Sequence, residues 1–204
     1  MIELNLEIAP NSEATEIPGL IYIPDYIDVN EQTQLLTKVD QQEWSIDSVE
    51  SKRRIQQLGY RYVYKNGFLV GASYLGALPD WINSIASRFS KDGLIATVLD
   101  QVTINEYYPG QGLRSHIDCV TCFGNAIITL SLGSYCGINF THAQTKEKRQ
   151  LLLSPGSLLI LKGEARYAWE HSIEPKIIDK YKGEEFIRGR RVALTFREGL
   201  FPHK

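Results

Sequence analysis

The chain has no excess of basic residues: 22 Lys and Arg stand against 24 Asp and Glu, for a formal net charge of −2 over 204 residues. That balance excludes a generally basic coat for nucleic acid, while leaving room for a local patch. Long hydrophobic runs are also missing. No apolar stretch approaches the ~20 residues of a membrane span, so no membrane partner is expected. The opening Met-Ile-Glu-Leu-Asn-Leu-Glu-Ile has neither the basic start nor the apolar core of a secretory signal, which makes a cytoplasmic address the default expectation. Cysteine is scarce and odd in number, with only Cys119, Cys122 and Cys136, unlike a secreted disulfide framework. Cys119 and Cys122 form a C-x-x-C, but no second close pair of Cys or His completes a structural zinc site. The flanks read as strand on both sides, not as the strand and helix around a thioredoxin-type motif. The cysteines are therefore expected to be reduced, ordinary thiols. With no internal repeat, low-complexity segment or long linker, the chain is expected to be a single domain, residues 1–204.

Residues 1–16 are polar and mixed, and read as an extended lead-in. Gly19–Pro24 reads as a short strand ended by proline. Asp28 or Asn30 can cap a helix over Glu31–Gln42, with Leu35, Leu36 and Val39 on one side. Tyr60, Tyr62 and Tyr64 alternate with Arg61 and Val63, as in a strand with an aromatic face. Pro79 opens a second helix, Asp80–Ser90, with Trp81, Ile82, Ile85 and Phe89 at helical spacing. Beyond Gly93 the texture changes to short strand-like runs at 102–108, 126–132, 137–140, 150–153, 157–161 and 192–196, punctuated by Gly, Pro or Asn. Strands in such succession predict a sandwich or barrel rather than a doubly wound parallel sheet. The fold class is mainly β (α+β), an α+β front third against an all-β remainder.

Four histidines limit the chemistry. His203 lies at the end of the chain, and His142 sits at a strand end among polar neighbours, where a surface role is expected. His116-Ile117-Asp118 places an imidazole and a carboxylate two residues apart, on one face of a strand. The Pro109-Gly110-Gln111-Gly112 turn before the pair folds Asn105 and Tyr107 toward it. His171 follows 53 residues after Asp118. Two His and one carboxylate are the set that holds ferrous iron while leaving open positions, and a zinc hydrolase can use the same set. Arg191 and Arg197 are six residues apart, so a strand puts both on one face, opposite Val192 and Leu194. Either they are a surface pair on an edge strand, or they point inward, where two guanidinium groups are costly unless they meet anions such as a dicarboxylate like 2-oxoglutarate.

Asn105-x-Tyr107, Pro109-Gly110, His116-x-Asp118, Ser131-Leu132-Gly133, His171 and Arg191-x5-Arg197 occur in this order. Together they resemble the AlkB family of iron(II)- and 2-oxoglutarate-dependent dioxygenases over residues 52–198. Leu78-Pro79-Asp80, the Pro-Gly-Gln-Gly turn, Leu-Ser-Leu-Gly-Ser and Gly163-Glu164-x-Arg166-Tyr167 resemble the branch that hydroxylates wobble uridines in animal tRNA, and its bacterial relatives. The resemblance implies a double-stranded β-helix (jelly-roll) core over residues 93–198, with residues 1–92 as an N-terminal extension carrying supporting helices and a nucleotide-recognition lid. It implies His116, Asp118 and His171 as the catalytic iron ligands, with Asn105, Tyr107, Arg191 and Arg197 around 2-oxoglutarate. Arg191 would meet the distal carboxylate, and Arg197 would lie near the metal-binding end. Fe(II), 2-oxoglutarate and O2 are the implied cofactors, and the reaction is hydroxylation of a C–H bond or oxidative dealkylation.

The implied partner is nucleic acid, presented as a single strand or a flipped base from DNA, RNA or tRNA, to a monomeric protein. Lys52, Arg53, Arg54 and Arg61 are placed to meet phosphates, and Tyr60, Tyr62 or Tyr64 to stack on a base. Two positions depart from the DNA-repair members: Val120 stands where they carry an acidic residue, and Lys162 where they carry an aromatic one. The alternatives are a protein side-chain hydroxylase or demethylase of the same family, and a non-catalytic binding module that keeps the fold.

Overall fold

A computed structural model of the chain describes residues 16–46, 53–65 and 68–200. The expected lead-in before residue 16, Lys52 and His203 lie outside the described residues, as does the side chain of Tyr64. From the amino end come β1 (Leu20–Ile23), α1 (Val29–Asp40), β2 (Ser45–Ile46), β3 (Arg54–Leu58), β4 (Tyr60–Lys65), β5 (Phe68–Tyr74) and α2 (Asp80–Lys91). β6 (Gln101–Tyr107), β7 (Leu113–His116), β8 (Phe123–Leu132), β9 (Cys136–His142), β10 (Lys148–Leu153) and β11 (Leu158–Lys162) come next. The single turn α3 (Gly163–Tyr167), β12 (Trp169–Ile173), β13 (Ile178–Tyr181), β14 (Glu184–Ile187) and β15 (Arg191–Gly199) complete the chain.

The antiparallel strands form a seven-stranded sheet, in the order β1-β11-β8-β15-β6-β3-β2, and a four-stranded sheet, in the order β10-β9-β12-β7. Facing one another, these sheets make the jelly-roll. Two hairpins, β4-β5 and β13-β14, stand apart from them. Strand alternation sorts side chains between two cores. Val102, Ile104, Ile128, Leu130, Val192, Leu194 and Phe196 point from the large sheet onto Val39 of α1 and Ile82, Ile85 and Phe89 of α2. The opposite face turns Ile127, Leu159, Leu161 and Ala193 toward Ile138, Phe140, Leu153 and Trp169 of the small sheet. The functional cavity opens within this second layer.

Local chemistry explains where elements begin. The Asp28 carboxylate accepts from the Glu31 N–H at 2.8 Å, so α1 starts at Val29, two residues before the expected start. Pro79 precedes α2, whose buried stripe is Ile82, Ile85 and Phe89. Gly59 makes the corner between β3 and β4 with φ +76°, and a Cβ there would lie 1.8 Å from the Asp100 carbonyl oxygen. Only glycine can make that corner, which lifts the β4-β5 hairpin off the large sheet.

Several strands were not expected from the sequence: β2, β3, β5, β12 and the β13-β14 hairpin, while the strand expected over His116–Asp118 lies instead at Leu113–His116 as β7. β3 (Arg-Ile-Gln-Gln-Leu) and β7 (Leu-Arg-Ser-His) are polar and short. Their strand state comes from pairing with β6 and β12 rather than from an apolar period of two.

Candidate active site

β7 and β12 pair so that His116 and His171 are cross-strand neighbours, with ring centroids 4.3 Å apart. Asp118 departs from the expected placement on the same strand, because β7 ends at His116. A buried arginine brings the carboxylate to the histidines instead. Arg166, from α3 and 1% exposed, donates to the Asp118 carbonyl at 2.8 Å and to the Cys119 carbonyl at 2.9 Å. One ligand atom from each of His116, Asp118 and His171 lies within 4.8 Å of the others. The Nδ1 of His116 lies 2.9 Å from the Arg114 carbonyl, which only accepts, so Nδ1 is the donor and Nε2 is the nitrogen left to face a metal.

The protonation states suit a cation. Burial pushes His171 down to about 4, against the pull of Asp118, so its imidazole is neutral at physiological pH. Burial alone would raise Asp118, but Arg197, His171, His116 and Arg166 outweigh it and hold the carboxyl well below the usual carboxylate range. Arg197 donates to Asp118 Oδ1 at 2.9 Å, while His171 Nε2 lies 3.9 Å from Oδ2. One carboxylate oxygen is thus tied to arginine, and the other faces the histidines. Two imidazole nitrogens and an ionised carboxylate oxygen fit ferrous iron.

A cavity of about 880 Å³ extends from the triad between the two sheets. β15 lies at the centre of the large sheet, with Arg191 opposite Tyr107 and Ala193 opposite Asn105 on β6. Arg191, Ala193, Thr195 and Arg197 line the cavity, as the alternation predicts. Arg191 is 3% exposed and donates from Nη2 to Ser131 Oγ at 2.9 Å, but its buried Nε has no hydrogen-bond partner. Among the described residues no carboxylate pairs with it. The Tyr107 hydroxyl accepts from Arg53 Nη1 at 2.9 Å and, among the described residues, has no acceptor for its own proton. Both side chains line the cavity, with the Arg191 guanidinium carbon 5.3 Å from the centre of the Tyr107 ring, so a cation without a carboxylate partner and a phenol with a proton to give fit the distal carboxylate of 2-oxoglutarate. Arg197 reaches Gln101 Oε1 and Thr103 Oγ1, both at 3.2 Å, and lies over the Phe123 ring.

The residues expected to touch substrate scatter. Arg53 is 7% exposed and points into the cavity, toward Tyr107 and Asn105. Arg54 turns to the other side of β6, where it binds Glu106 at 2.5 and 2.8 Å and covers the Trp44 ring. Tyr60 is buried and packs against Tyr74. Tyr62 and Arg61 line the cavity, and the Tyr62 hydroxyl lies 3.1 Å from Thr103 Oγ1. Lys162 points away, its Nζ donating to the Leu94 carbonyl at 2.6 Å, because Leu161 and Leu159 take the cavity side of β11. The His142 Nδ1 accepts from the backbone N–H groups of Gln144 and Thr145, which caps a turn.

The cysteine expectation is corrected. Cys119 and Cys122 are joined by a disulfide with Cα atoms 5.3 Å apart, and only Cys136 is free. The tight loop after Asp118 brings both sulfurs together, which spacing alone did not reveal. Arg166, Ser131, Gln101 and Thr103 were not assigned roles from the sequence. Arg166 and Ser131 lie in stretches that carry the family resemblance, and that was the available signal.

The family model described as the 2OG-Fe(II) oxygenase superfamily matches residues 19–197. An Arabidopsis thaliana protein named "Alkylated DNA repair protein ALKBH8 homolog" is 37% identical over 205 residues, covering 89% of this chain and 58% of the relative. The mouse "tRNA (carboxymethyluridine(34)-5-O)-methyltransferase ALKBH8" is 34% identical over 89% of this chain, which spans only 30% of that protein. An uncharacterised protein of Acanthamoeba polyphaga mimivirus is 33% identical, with 90% of this chain and 86% of the relative covered. Among solved structures, OsALKBH1 superposes with a TM-score of 0.67 at 14% identity, covering 92% of this chain and 99% of that one, which speaks for the fold.

Proposed function

This chain belongs to the 2OG-Fe(II) oxygenase superfamily, among the AlkB-type dioxygenases, and from that premise we propose that it hydroxylates a nucleobase, with a modified tRNA uridine as the substrate class. The observation that carries the reading is one cavity lined by a His-Asp-His triad, by Arg191, which has no carboxylate partner among the described residues, and by Tyr107, whose hydroxyl proton has no acceptor among them. When bound there, ferrous iron with 2-oxoglutarate and O2 supplies the oxidation of a C–H bond, as 2-oxoglutarate becomes succinate and carbon dioxide. His116, Asp118 and His171 would hold the metal. Arg191, Tyr107 and Asn105 would orient the cosubstrate, and Arg197 would fix the carboxylate of Asp118 while lying near the cosubstrate's metal-binding end. The apolar wall of Ile127, Ile138, Leu159 and Ala193 keeps bulk water from the reacting end.

The substrate class is read from the mouth of the cavity. Gln57, Arg61, Tyr62, Val120 and Thr121 border it, and Val120 is 52% exposed. Tyr62 offers an aromatic face for a base, and Arg61 a charge for a phosphate. Among the described residues Asp118 is the only carboxylate lining the cavity, and Arg197 already engages it. A base made cationic by alkylation at a ring nitrogen would find no anion to meet, whereas a uridine, whose ring is neutral, offers carbonyl oxygens and an imide N–H to Gln57 and Thr121. The relatives named for tRNA carboxymethyluridine support this choice. A Caenorhabditis elegans relative named "DNA N6-methyl adenine demethylase", 24% identical, marks dealkylation as the outcome to test against. Nucleoside mass spectrometry of total tRNA and of alkylated oligonucleotides, before and after incubation with iron and 2-oxoglutarate, separates them. A gain of about 16 Da, one oxygen atom, on a uridine supports the proposal. Loss of a methyl group from adenine or cytosine, with uridines unchanged, would replace it.

A further inference from the structure

We infer that Arg53 is a positioning residue for the cosubstrate, acting through the hydroxyl of Tyr107, rather than a phosphate-binding residue of the lid. The inference rests on the reading that this cavity takes 2-oxoglutarate. Arg53 comes from the segment just before β3, yet its side chain is buried and turned inward. Its Nη1 donates to the Tyr107 hydroxyl at 2.9 Å and lies 3.5 Å from Asn105 Oδ1. Its guanidinium also lies 5.2 Å from the centre of the Tyr107 ring, and that of Arg191 lies 5.3 Å from the same centre. Two guanidinium groups therefore lie close to one phenol ring.

Donor and acceptor chemistry decides where the phenol proton goes. A phenol hydroxyl has one proton to give and lone pairs to accept, whereas a guanidinium only donates. Arg53 thus occupies a lone pair of the Tyr107 oxygen and can never take its proton. The O–H is left to point elsewhere, and the Arg191 guanidinium lies by the same ring. A carboxylate binding beside Arg191 receives that proton as a charge-assisted hydrogen bond. Without Arg53 the hydroxyl is free to rotate, and its proton has other acceptors among cavity waters. Arg53 therefore selects the orientation in which Tyr107 donates to the cosubstrate. A residue placed to read phosphates would instead keep its guanidinium in solvent.

The test measures 2-oxoglutarate binding to the Mn(II)-loaded protein by calorimetry, for wild type, Arg53→Met, Tyr107→Phe and the double variant. Affinity for unmodified tRNA is measured alongside by fluorescence anisotropy. Arg53→Met should weaken 2-oxoglutarate about tenfold, the scale of one hydrogen bond to a charged group. It should add little on the Tyr107→Phe background, because its effect passes through the hydroxyl that variant lacks. Arg53→Lys keeps a donor and should recover part of the loss, which also covers the case in which Arg53→Met does not fold. Affinity for tRNA should be unchanged. If wild type binds 2-oxoglutarate but Arg53→Met and Arg53→Lys bind it equally well, the inference fails while the dioxygenase reading stands. Full additivity with Tyr107→Phe, or a loss confined to tRNA binding, overturns it too. If wild type does not bind 2-oxoglutarate, both fall.

Discussion

Replacing Arg191 by Met should change thermal stability in opposite senses with and without cosubstrate. In the protein alone, the guanidinium is a buried cation with one hydrogen bond to Ser131, an unbonded Nε and no carboxylate among the described residues. Such a group costs free energy, and an apolar side chain of similar length removes that cost. Arg191→Met without ligand should therefore melt at the wild-type temperature or above. With 2-oxoglutarate at about a hundred times its dissociation constant, wild type gains about 2.7 kcal/mol, which for a domain of this size is roughly 5–11 °C. Losing a charge-assisted contact of about 1.5–3 kcal/mol weakens binding by roughly 10- to 150-fold. At the same ligand concentration the variant then gains only about 0.3–1.4 kcal/mol, half the wild-type shift or less. The assay is a thermal melt in Mn(II), with and without 2-oxoglutarate. A variant that keeps the full wild-type shift would refute the placement of the cosubstrate against Arg191.

The fold carries further consequences. Asp179 and Arg188 form a buried ion pair whose carboxylate also accepts the Gly137 N–H at 2.8 Å, so Asp179→Asn should cost about 3–5 kcal/mol in denaturant titrations near neutral pH. Burial would raise Asp179, but Arg188 and the Gly137 N–H hold it below the usual range. A depressed folded value means that its contribution is complete above the ordinary carboxylate pKa near ~4 and is lost as the pH falls through the folded value. Stability of wild type should drop on acidification below ~4, and Asp179→Asn should reduce that slope. Gly59→Ala should destabilise by about 2 kcal/mol or more, read by chemical denaturation, because its corner has φ +76° and no room for a Cβ. Leu130→Ala removes a fully buried side chain between the large sheet and the helices and should cost about 2–5 kcal/mol in the same assay.

Much of this architecture was legible in the sequence, and the parts that were not share a physical cause. Helices α1 and α2 were legible because their apolar stripes and start signals are local. β15 was legible because its two arginines and its apolar residues alternate with a period of two, and the structure sorts them to opposite faces. β3 was not, and β7 was read too far along the chain, since polar strands are defined by their partners. Asp118 was assigned to the metal from spacing and resemblance, but the means of its placement was not. Arg166 reaches it from 48 residues away, and no local pattern encodes such a contact. The same limit governed Arg53 and Arg54. As neighbours they read as one basic patch, yet alternation sends one into the cavity and the other to Glu106. The Cys119–Cys122 disulfide depends on loop curvature that C-x-x-C spacing leaves open.

The most direct test of the central claim is the stoichiometry of succinate and oxidised nucleoside when the protein is incubated with Fe(II), 2-oxoglutarate, O2 and tRNA. The predicted result is one succinate for each uridine that gains oxygen, with both products abolished by His116→Ala. Succinate formation that survives His116→Ala, or none at all from a wild-type protein loaded with iron, would contradict the assignment of this cavity.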